Sequence, residues 1–255
     1  MVIFLVYHRV SAALVAGRYT IGVDSLVNDI ATVRRSMVPI LNPHDLELSP
    51  QNVDGVIFCF DDGTADHHQV VLPTLAERGI YGLFYVPTVV LGQAGHLSQG
   101  FVRELCRAGH TVGSHGHSHS RLDHMPLDAL RAELLQSRDI LHDIAGECPR
   151  HIAPPGGFFS PLVQVAAQQL GLTRFRTMEW GCNRHFDPMR IEAIPMTNRL
   201  TRSLLPSVLR RRGDWLLKAA HRSKESLRGL AVAGRSGRAR LVTRLARGRV
   251  GDGVQ

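Results

Sequence analysis

The chain has 255 residues, 44% of them hydrophobic, which is enough for one large core or two small ones. No apolar run approaches the length of a membrane-spanning helix, so a protein built from such helices is excluded. The net charge of +8 is unevenly placed: residues 1–200 hold 16 Lys and Arg against 19 Asp and Glu, and residues 201–255 hold 14 against 3. A mildly acidic body is therefore followed by a strongly basic tail. Cys59, Cys106, Cys148 and Cys182 include no C-x-x-C pair, fit neither a disulfide scaffold nor a thiolate zinc site, and read as free thiols of a reducing compartment.

In chain order, Val2–His8 reads as a first strand. The opening residues lack the basic leader of a signal peptide, so a cytoplasmic location is expected. A helix follows over about Ser25–Arg35, with Asp24 or Ser25 as its cap. Residues 39–54, with Pro39, Pro43 and Pro50, read as loop, with a short strand at Val38–Leu41. Val56–Phe60 is an apolar strand. Gln69–Arg78 is a helix closed by Gly79, and Ile80–Val86 the next strand. Ser98–Ala108 is a helix with Gly109 behind it, and Thr111–Ser114 a short strand. Leu127–Ile144 is a long amphipathic helix ended by Gly146. His151–Ala153, Pro161–Leu170, Phe175–Thr177 and Ile191–Ile194 complete the pattern. About seven alternations of strand and helix predict a parallel α/β layer or barrel. His8, Asp61, Asp62, His115, His119, Pro155 and Trp180 all follow strand ends, the edge where such folds carry their sites.

The strand Val56–Phe60 ends in Asp61-Asp62-Gly63. Asp-Gly is an ordinary turn pair, but two carboxylates beside apolar packing are costly unless a metal or a proton-transfer role offsets them. The second cluster is His115-Gly116-His117-Ser118-His119. If Gly116–His119 makes a helical turn, His115 and His119 share a face and His117 does not. Two imidazoles at that spacing hold one divalent cation, and the missing oxygen ligand is best supplied by Asp62. Such a donor set suits Zn²⁺, and also Fe²⁺, Co²⁺ or Mn²⁺. A cation there brings the pKa of a coordinated water toward about 7. Asp61, adjacent to a ligand but differently directed, is placed to remove its proton, and His8 to protonate a leaving amine.

These motifs resemble those of the polysaccharide deacetylase family, the NodB-homology or carbohydrate esterase family 4 enzymes. Their usual Thr-Phe-Asp-Asp-Gly stands here as Cys59-Phe60-Asp61-Asp62-Gly63, and their His-Ser/Thr-x-x-His as His115–His119 with Gly116 at the Ser/Thr place. The resemblance covers roughly residues 1–200. It implies a distorted (β/α)7-type barrel, Asp61 as general base, Asp62, His115 and His119 as metal ligands, and hydrolysis of the N-acetyl group of an amino sugar.

Three departures are visible. The family's Arg-Pro-Pro-Tyr-Gly reads Ala153-Pro154-Pro155-Gly156-Gly157, so the arginine that pairs with the catalytic aspartate is absent; Arg9, Arg174 and Arg176 are the candidates to replace it. The missing tyrosine opens the side lined by Pro155 and Gly156, where a backbone N–H remains available to an oxyanion. Trp180 resembles the aromatic wall of the pocket, and ordinary core packing is the competing reading. No Leu-x-His follows the last strand, but Leu5-Val6-Tyr7-His8 has that character at the front of the chain. A circularly permuted subset of the family has this arrangement and also lacks the third-motif arginine. By that resemblance His8 is the general acid.

Residues 1–200 are thus expected to form the barrel and residues 201–255 a basic helical extension with a mobile end. An amphipathic basic stretch over 203–247 suits an anionic membrane surface; a helix packed on the barrel is the alternative, and no nucleic-acid recognition motif is present. The expected substrate is an N-acetylhexosamine, nucleotide- or lipid-linked if the enzyme works at the inner face of the membrane. Glu47, Asp66, His67 and His68 are candidates to read its hydroxyls. Two other readings stay open: hydrolysis of another small amide or formamide, and a barrel that binds glycans or membranes without turnover.

Overall fold

The computed structural model describes residues 1–13, 17, 19–48, 53–158, 160–196, 199–224 and 226. Nine strands are described: β1 (Val2–Tyr7), β2 (Arg9–Ser11), β3 (Thr20–Gly22), β4 (Gly55–Phe60), β5 (Gly82–Val86), β6 (Thr111–Ser114), β7 (His151–Ile152), β8 (Arg174–Trp180) and β9 (Ile191–Pro195). The helices are α1 (Val23–Arg35), α2 (Asp45–Leu48), α3 (Leu72–Ala76), α4 (Gln99–Arg107), α5 (Leu127–Ala145), α6 (Pro161–Gln169) and α7 (Arg199–Leu209). Seven strands close a barrel in the order β1-β4-β5-β6-β7-β8-β9. β1 closes it, pairing in parallel with β4 on one side and β9 on the other. The distorted (β/α)7 barrel expected from the sequence is the fold observed.

Strand alternation sorts the core into layers. Val2, Phe4 and Val6 of β1 cluster with Ile57, Cys59, Leu83, Tyr85, Ile191 and Ala193 as the barrel interior. The intervening Ile3, Leu5, Tyr7, Phe58 and Phe60 pack outward on Leu26, Ile30 and Val33 of α1 and on Leu205, Val208 and Leu209 of α7. A third cluster joins Leu130 and Leu134 of α5 to Val163 and Ala166 of α6 and to Phe175. Continuing the interior parity by one step puts His8 after Val6 and Asp61 after Cys59, so both reach the C-terminal mouth of the barrel.

Several local expectations are revised. α1 starts at Val23 with Gly22 as its cap residue and no side-chain cap. Ser98 does cap α4, accepting from the Phe101 N–H at 3.1 Å. The stretch around Val38–Leu41 contributes one bridge, Ile40 to Val56, rather than a strand. The helix expected over Gln69–Arg78 opens as a π-helical turn, His67–Val71, before α3. Residues 116–119 form no helical turn: Gly116 has φ +74° and His119 φ +58°. The boundary at residue 200 is also not a packing boundary. α7 lies on α1, where Arg202 holds Asp29 through two contacts of 3.1 Å, and Leu217, in the helix over 214–224, is fully buried in the same outer layer. Residues 227–247 of the expected membrane-contacting stretch, and the Glu47 side chain, lie outside the described residues. No described helix is long and apolar enough to cross a membrane.

Candidate metal centre and active site

Asp61, Asp62 and Gly63 turn sharply as they leave β4. Asp62 has φ +76° and Gly63 φ +58°; aspartate is among the few residues that tolerate this left-handed conformation. The turn sends consecutive carboxylates in different directions. Asp61 stays in the barrel mouth, 2% exposed, its N–H bound to the Tyr7 carbonyl at 2.9 Å. Asp62 reaches across the rim, where its Oδ1 lies 3.4 Å from His115 Nε2 and 3.2 Å from His119 Nε2.

These three residues bring one ligand atom each within 4.8 Å of one another. His115 is buried, and its Nδ1 lies 2.5 Å from the Ala153 carbonyl oxygen. That oxygen can only accept, so Nδ1 carries a proton and Nε2 is the atom that faces Asp62. Ala153 opens the divergent third motif, whose backbone thus orients a ligand. Burial pushes the Asp62 carboxyl upward, but hydrogen bonds from His115 and His119 outweigh it and hold the group well below the usual carboxylate range. The His119 imidazole is raised by the same contact with Asp62. Two imidazole nitrogens and one carboxylate oxygen around one point fit Zn²⁺ and its divalent neighbours.

Arg176 supplies the charge that the third motif lacks. It is fully buried, and its Nη2 donates to Asp61 Oδ2 at 2.5 Å. Its guanidinium also lies 4.8 Å over the Tyr85 ring. Of the three arginines weighed from sequence, Arg176 alone meets Asp61, because β8 crosses the interior at that height; Arg9 is exposed at the start of β2 and Arg174 lies one turn of the pleat lower, hydrogen-bonded to Thr173. Asp61 Oδ1 is buried without a hydrogen-bond partner, so one carboxylate oxygen is tied and the other is open to a ligand.

His8 completes the interior layer. Burial lowers its pKa, while Asp61 and Asp62 pull it the other way. Its ring lies 5.0 Å from that of Tyr19, and its carbonyl oxygen accepts from His67 Nε2 at 2.7 Å. Asp66 accepts from the Val10 N–H at 2.7 Å. Asp66 and His67 therefore hold the backbone that follows His8, at the His8 carbonyl and the Val10 N–H, rather than facing outward as hydroxyl readers. His68 is 2.6 Å from Glu104 and stacks on Phe101 at the surface.

The weaker pocket candidates separate. Pro155 is buried next to the histidine loop, its Cδ 3.9 Å from where a Cβ on Gly116 would stand. Gly156 has φ +72°, and a Cβ there would come within 2.6 Å of the Phe158 ring. A tyrosine at 156 is thus barred twice, by backbone and by Phe158, over which Arg121 lies at 3.4 Å. Trp180 is not brought to this site. A register irregularity between Arg176 and Trp180 turns it into the outer layer, 3% exposed, against His221 at 5.7 Å and Lys224 at 4.8 Å.

Sequence reasoning missed Glu133. It lies on the buried stripe of α5 with Leu130, Leu134, Ser137 and Leu141, and a charged residue on an apolar helical stripe is the signal that marks it.

Residues 49–175 match the family model described as polysaccharide deacetylase. Among curated proteins, the chain is 25% identical over 159 residues to a peptidoglycan-N-acetylglucosamine deacetylase of Bacillus cereus, covering 62% of this chain and 54% of that protein. The chain spans about half the length of the curated relatives it matches first. Among solved structures, IcaB of Ammonifex degensii superposes with a TM-score of 0.72 at 22% identity, covering 82% of this chain and 95% of that one. A de-N-acetylase of Aggregatibacter actinomycetemcomitans gives a TM-score of 0.70 at 19% identity, with 80% and 99% covered. Both show the same fold. The family match takes in Asp61, Asp62, His115 and His119 and does not reach His8 or Arg176. On this match, residues 49–175 of the chain are a domain of the polysaccharide deacetylase family.

Proposed function

We propose that the protein is a metal-dependent N-deacetylase acting on an acetylated amino sugar of a glycan or glycan precursor. The observation that carries this is the pairing of a three-ligand set, Asp62, His115 and His119, with an adjacent carboxylate that is no ligand and is held by a buried arginine. A binding module has no use for that second carboxylate. When bound, a divalent cation at the centre polarises the scissile carbonyl and makes a coordinated water acidic.

The chain's own residues supply the rest. Arg176 fixes the orientation of Asp61 by donating to Oδ2, and Oδ1 takes the proton of the attacking water. His8, in the same layer at the end of β1, gives a proton to the departing amine; burial, which lowers its pKa, makes its protonated form the stronger acid. The position of β1 between β4 and β9 supports reading the chain as a circular permutation in which the acid-bearing strand comes first. The names of relatives acting on peptidoglycan and chitin support an N-acetylglucosamine-containing substrate. Peripheral contact with an anionic membrane is supported by Trp215, 69% exposed, beside the exposed Arg210, Arg211 and Arg212.

The test is release of acetate and free amine from N-acetylglucosamine oligomers and their nucleotide- and lipid-linked forms, with chelated and Zn²⁺-loaded protein compared. Zn²⁺-dependent turnover of one class supports the reading and names the substrate. Loaded protein inert on all of them overturns it and leaves another small amide as the substrate to seek.

A further inference from the structure

We propose that Glu133 is the residue that positions the metal-binding loop, acting through the peptide that joins His115 to His119. This rests on reading Asp62, His115 and His119 as a metal centre. The loop has no helical hydrogen bonding of its own; its Gly116 and His117 carbonyls accept from the Thr88 N–H at 3.2 Å and the Val89 N–H at 2.9 Å, and two of its residues, Gly116 and His119, have positive φ. For His119 that conformation is unfavourable, so something outside the loop has to hold it.

Glu133 reaches the loop from α5. Its Oε1 accepts from the His117 N–H at 2.8 Å, from the Ser118 N–H at 2.6 Å and from the Ser118 hydroxyl at 2.9 Å. Among the described residues no cation is paired with it, and it is only 9% exposed. A carboxylate buried at that depth without a cation is expensive unless it is strongly hydrogen-bonded, and all three of its donors lie between the two histidine ligands. Ser137, one turn further along α5, adds a second tie: its hydroxyl meets Ser114 Oγ at 2.8 Å, and Ser114 Oγ accepts from the Gly116 N–H at 3.1 Å.

Gly116 belongs to the same device. A Cβ at that position would stand 3.1 Å from Glu133 Oε1 and would have to tolerate φ +74°. The glycine where the family motif usually has Ser or Thr is therefore what lets the carboxylate come close. The loop's N–H groups are thus braced from the helix behind it, through Glu133 and Ser137 of α5.

The test measures metal affinity, not turnover. Zn²⁺ dissociation constants are taken by competition with a chromophoric chelator, and visible spectra are taken of the Co²⁺ forms, for wild type, Glu133→Ala, Glu133→Gln and Ser118→Ala, with thermal melting of each metal-free protein. Loss of an outer partner of a metal ligand typically costs 10–100-fold in affinity. Glu133→Ala is expected to weaken Zn²⁺ binding by about that factor and to shift the Co²⁺ bands. Glu133→Gln, which keeps an oxygen acceptor, is expected to recover part of it, and Ser118→Ala to lose the least. A folded Glu133→Ala protein with wild-type affinity and an unchanged Co²⁺ spectrum overturns the proposal. If that variant does not fold, wild-type values for both Glu133→Gln and Ser118→Ala overturn it. Wild-type protein that binds no Zn²⁺ removes the metal centre itself, a separate failure.

Discussion

Histidines occupy two environments of this barrel, and the contrast shows what burial alone does. At the C-terminal mouth, the buried His115 and the exposed His119 face the Asp62 carboxylate, and Arg176, the one buried arginine or lysine among the described residues, is matched by Asp61. Away from the mouth, His110 and His151 are buried with no carboxylate among the causes that shift them. Burial depresses His110 to about 4; burial, with Arg174 and Arg150 adding to it, depresses His151 to about 3. His110 serves as a neutral acceptor for the Gly82 N–H at 2.9 Å. Burial alone keeps an imidazole neutral, whereas the Asp62 carboxylate facing His119 raises that imidazole.

The largest effect is expected where the charged pattern is cut at the reacting groups. Asp61→Asn should lower turnover by about 10²–10⁴-fold, the usual worth of a general base, with Zn²⁺ affinity retained; steady-state kinetics beside a Zn²⁺ titration checks both. Full activity in that variant would remove Asp61 from its role. His8→Ala should also lower turnover by about 10²-fold or more while leaving Zn²⁺ binding intact. A fully active His8→Ala enzyme would end the reading of the first strand as the carrier of the acid.

Arg176→Met tests the pairing as a matter of stability. It strands the Asp61 carboxylate in the interior, and breaking a buried pair from one side costs about 3–5 kcal/mol. Urea unfolding above pH 7 reads this directly. Adding Asp61→Asn to Arg176→Met should restore much of the loss, since the double variant has no stranded charge. Unchanged stability in the single variant would mean that the ion pair carries no weight.

The smallest effect concerns the neutral histidines. Their folded pKa values lie below the unfolded value of about 6.5, so below that pH the unfolded chain binds more protons than the folded one. Stability is therefore complete above about pH 6.5 and is lost as pH falls toward 4 for His110 and toward 3 for His151. Each contributes a slope of at most about 1.4 kcal/mol per pH unit. Urea midpoints between pH 7.5 and 4.5 should show the fall, and His110→Asn, still able to accept from Gly82, should flatten it. An unaltered slope in that variant would mean that His110 titrates normally.

Much of the site was legible because its chemistry is written in short spans. Asp61 and Asp62 are consecutive, and His115 and His119 are four apart. The apolar alternation of β1 and β4 predicts which of their successors reach the barrel mouth. The route by which the histidines converge was misjudged: a helical turn and a loop with two positive φ values both bring positions 115 and 119 together. The partner of Asp61 was narrowed to three arginines and no further, since that contact spans 115 residues. Trp180 was misplaced because a register shift within β8 reverses which face a residue presents, and nothing in its flanking residues announces the shift. The outlying helices were set apart by charge, although α7 buries Leu205, Val208 and Leu209 in the main outer layer.

By itself the sequence determined the alternation of strand and helix, the edge at which polar residues collect, and the two short clusters, Asp61-Asp62 and His115–His119, because each depends on periodicity or on neighbours a few residues apart. Tertiary structure alone decided that Arg176 answers Asp61, that the Ala153 carbonyl meets His115 Nδ1, that Asp66 and His67 hold the backbone that follows His8, and that Glu133 ties the loop between His115 and His119. Those contacts join residues far apart in the chain. They exist because barrel closure and helix packing bring the segments within hydrogen-bonding distance, where a buried charge or polar group is stable only if it finds its partner.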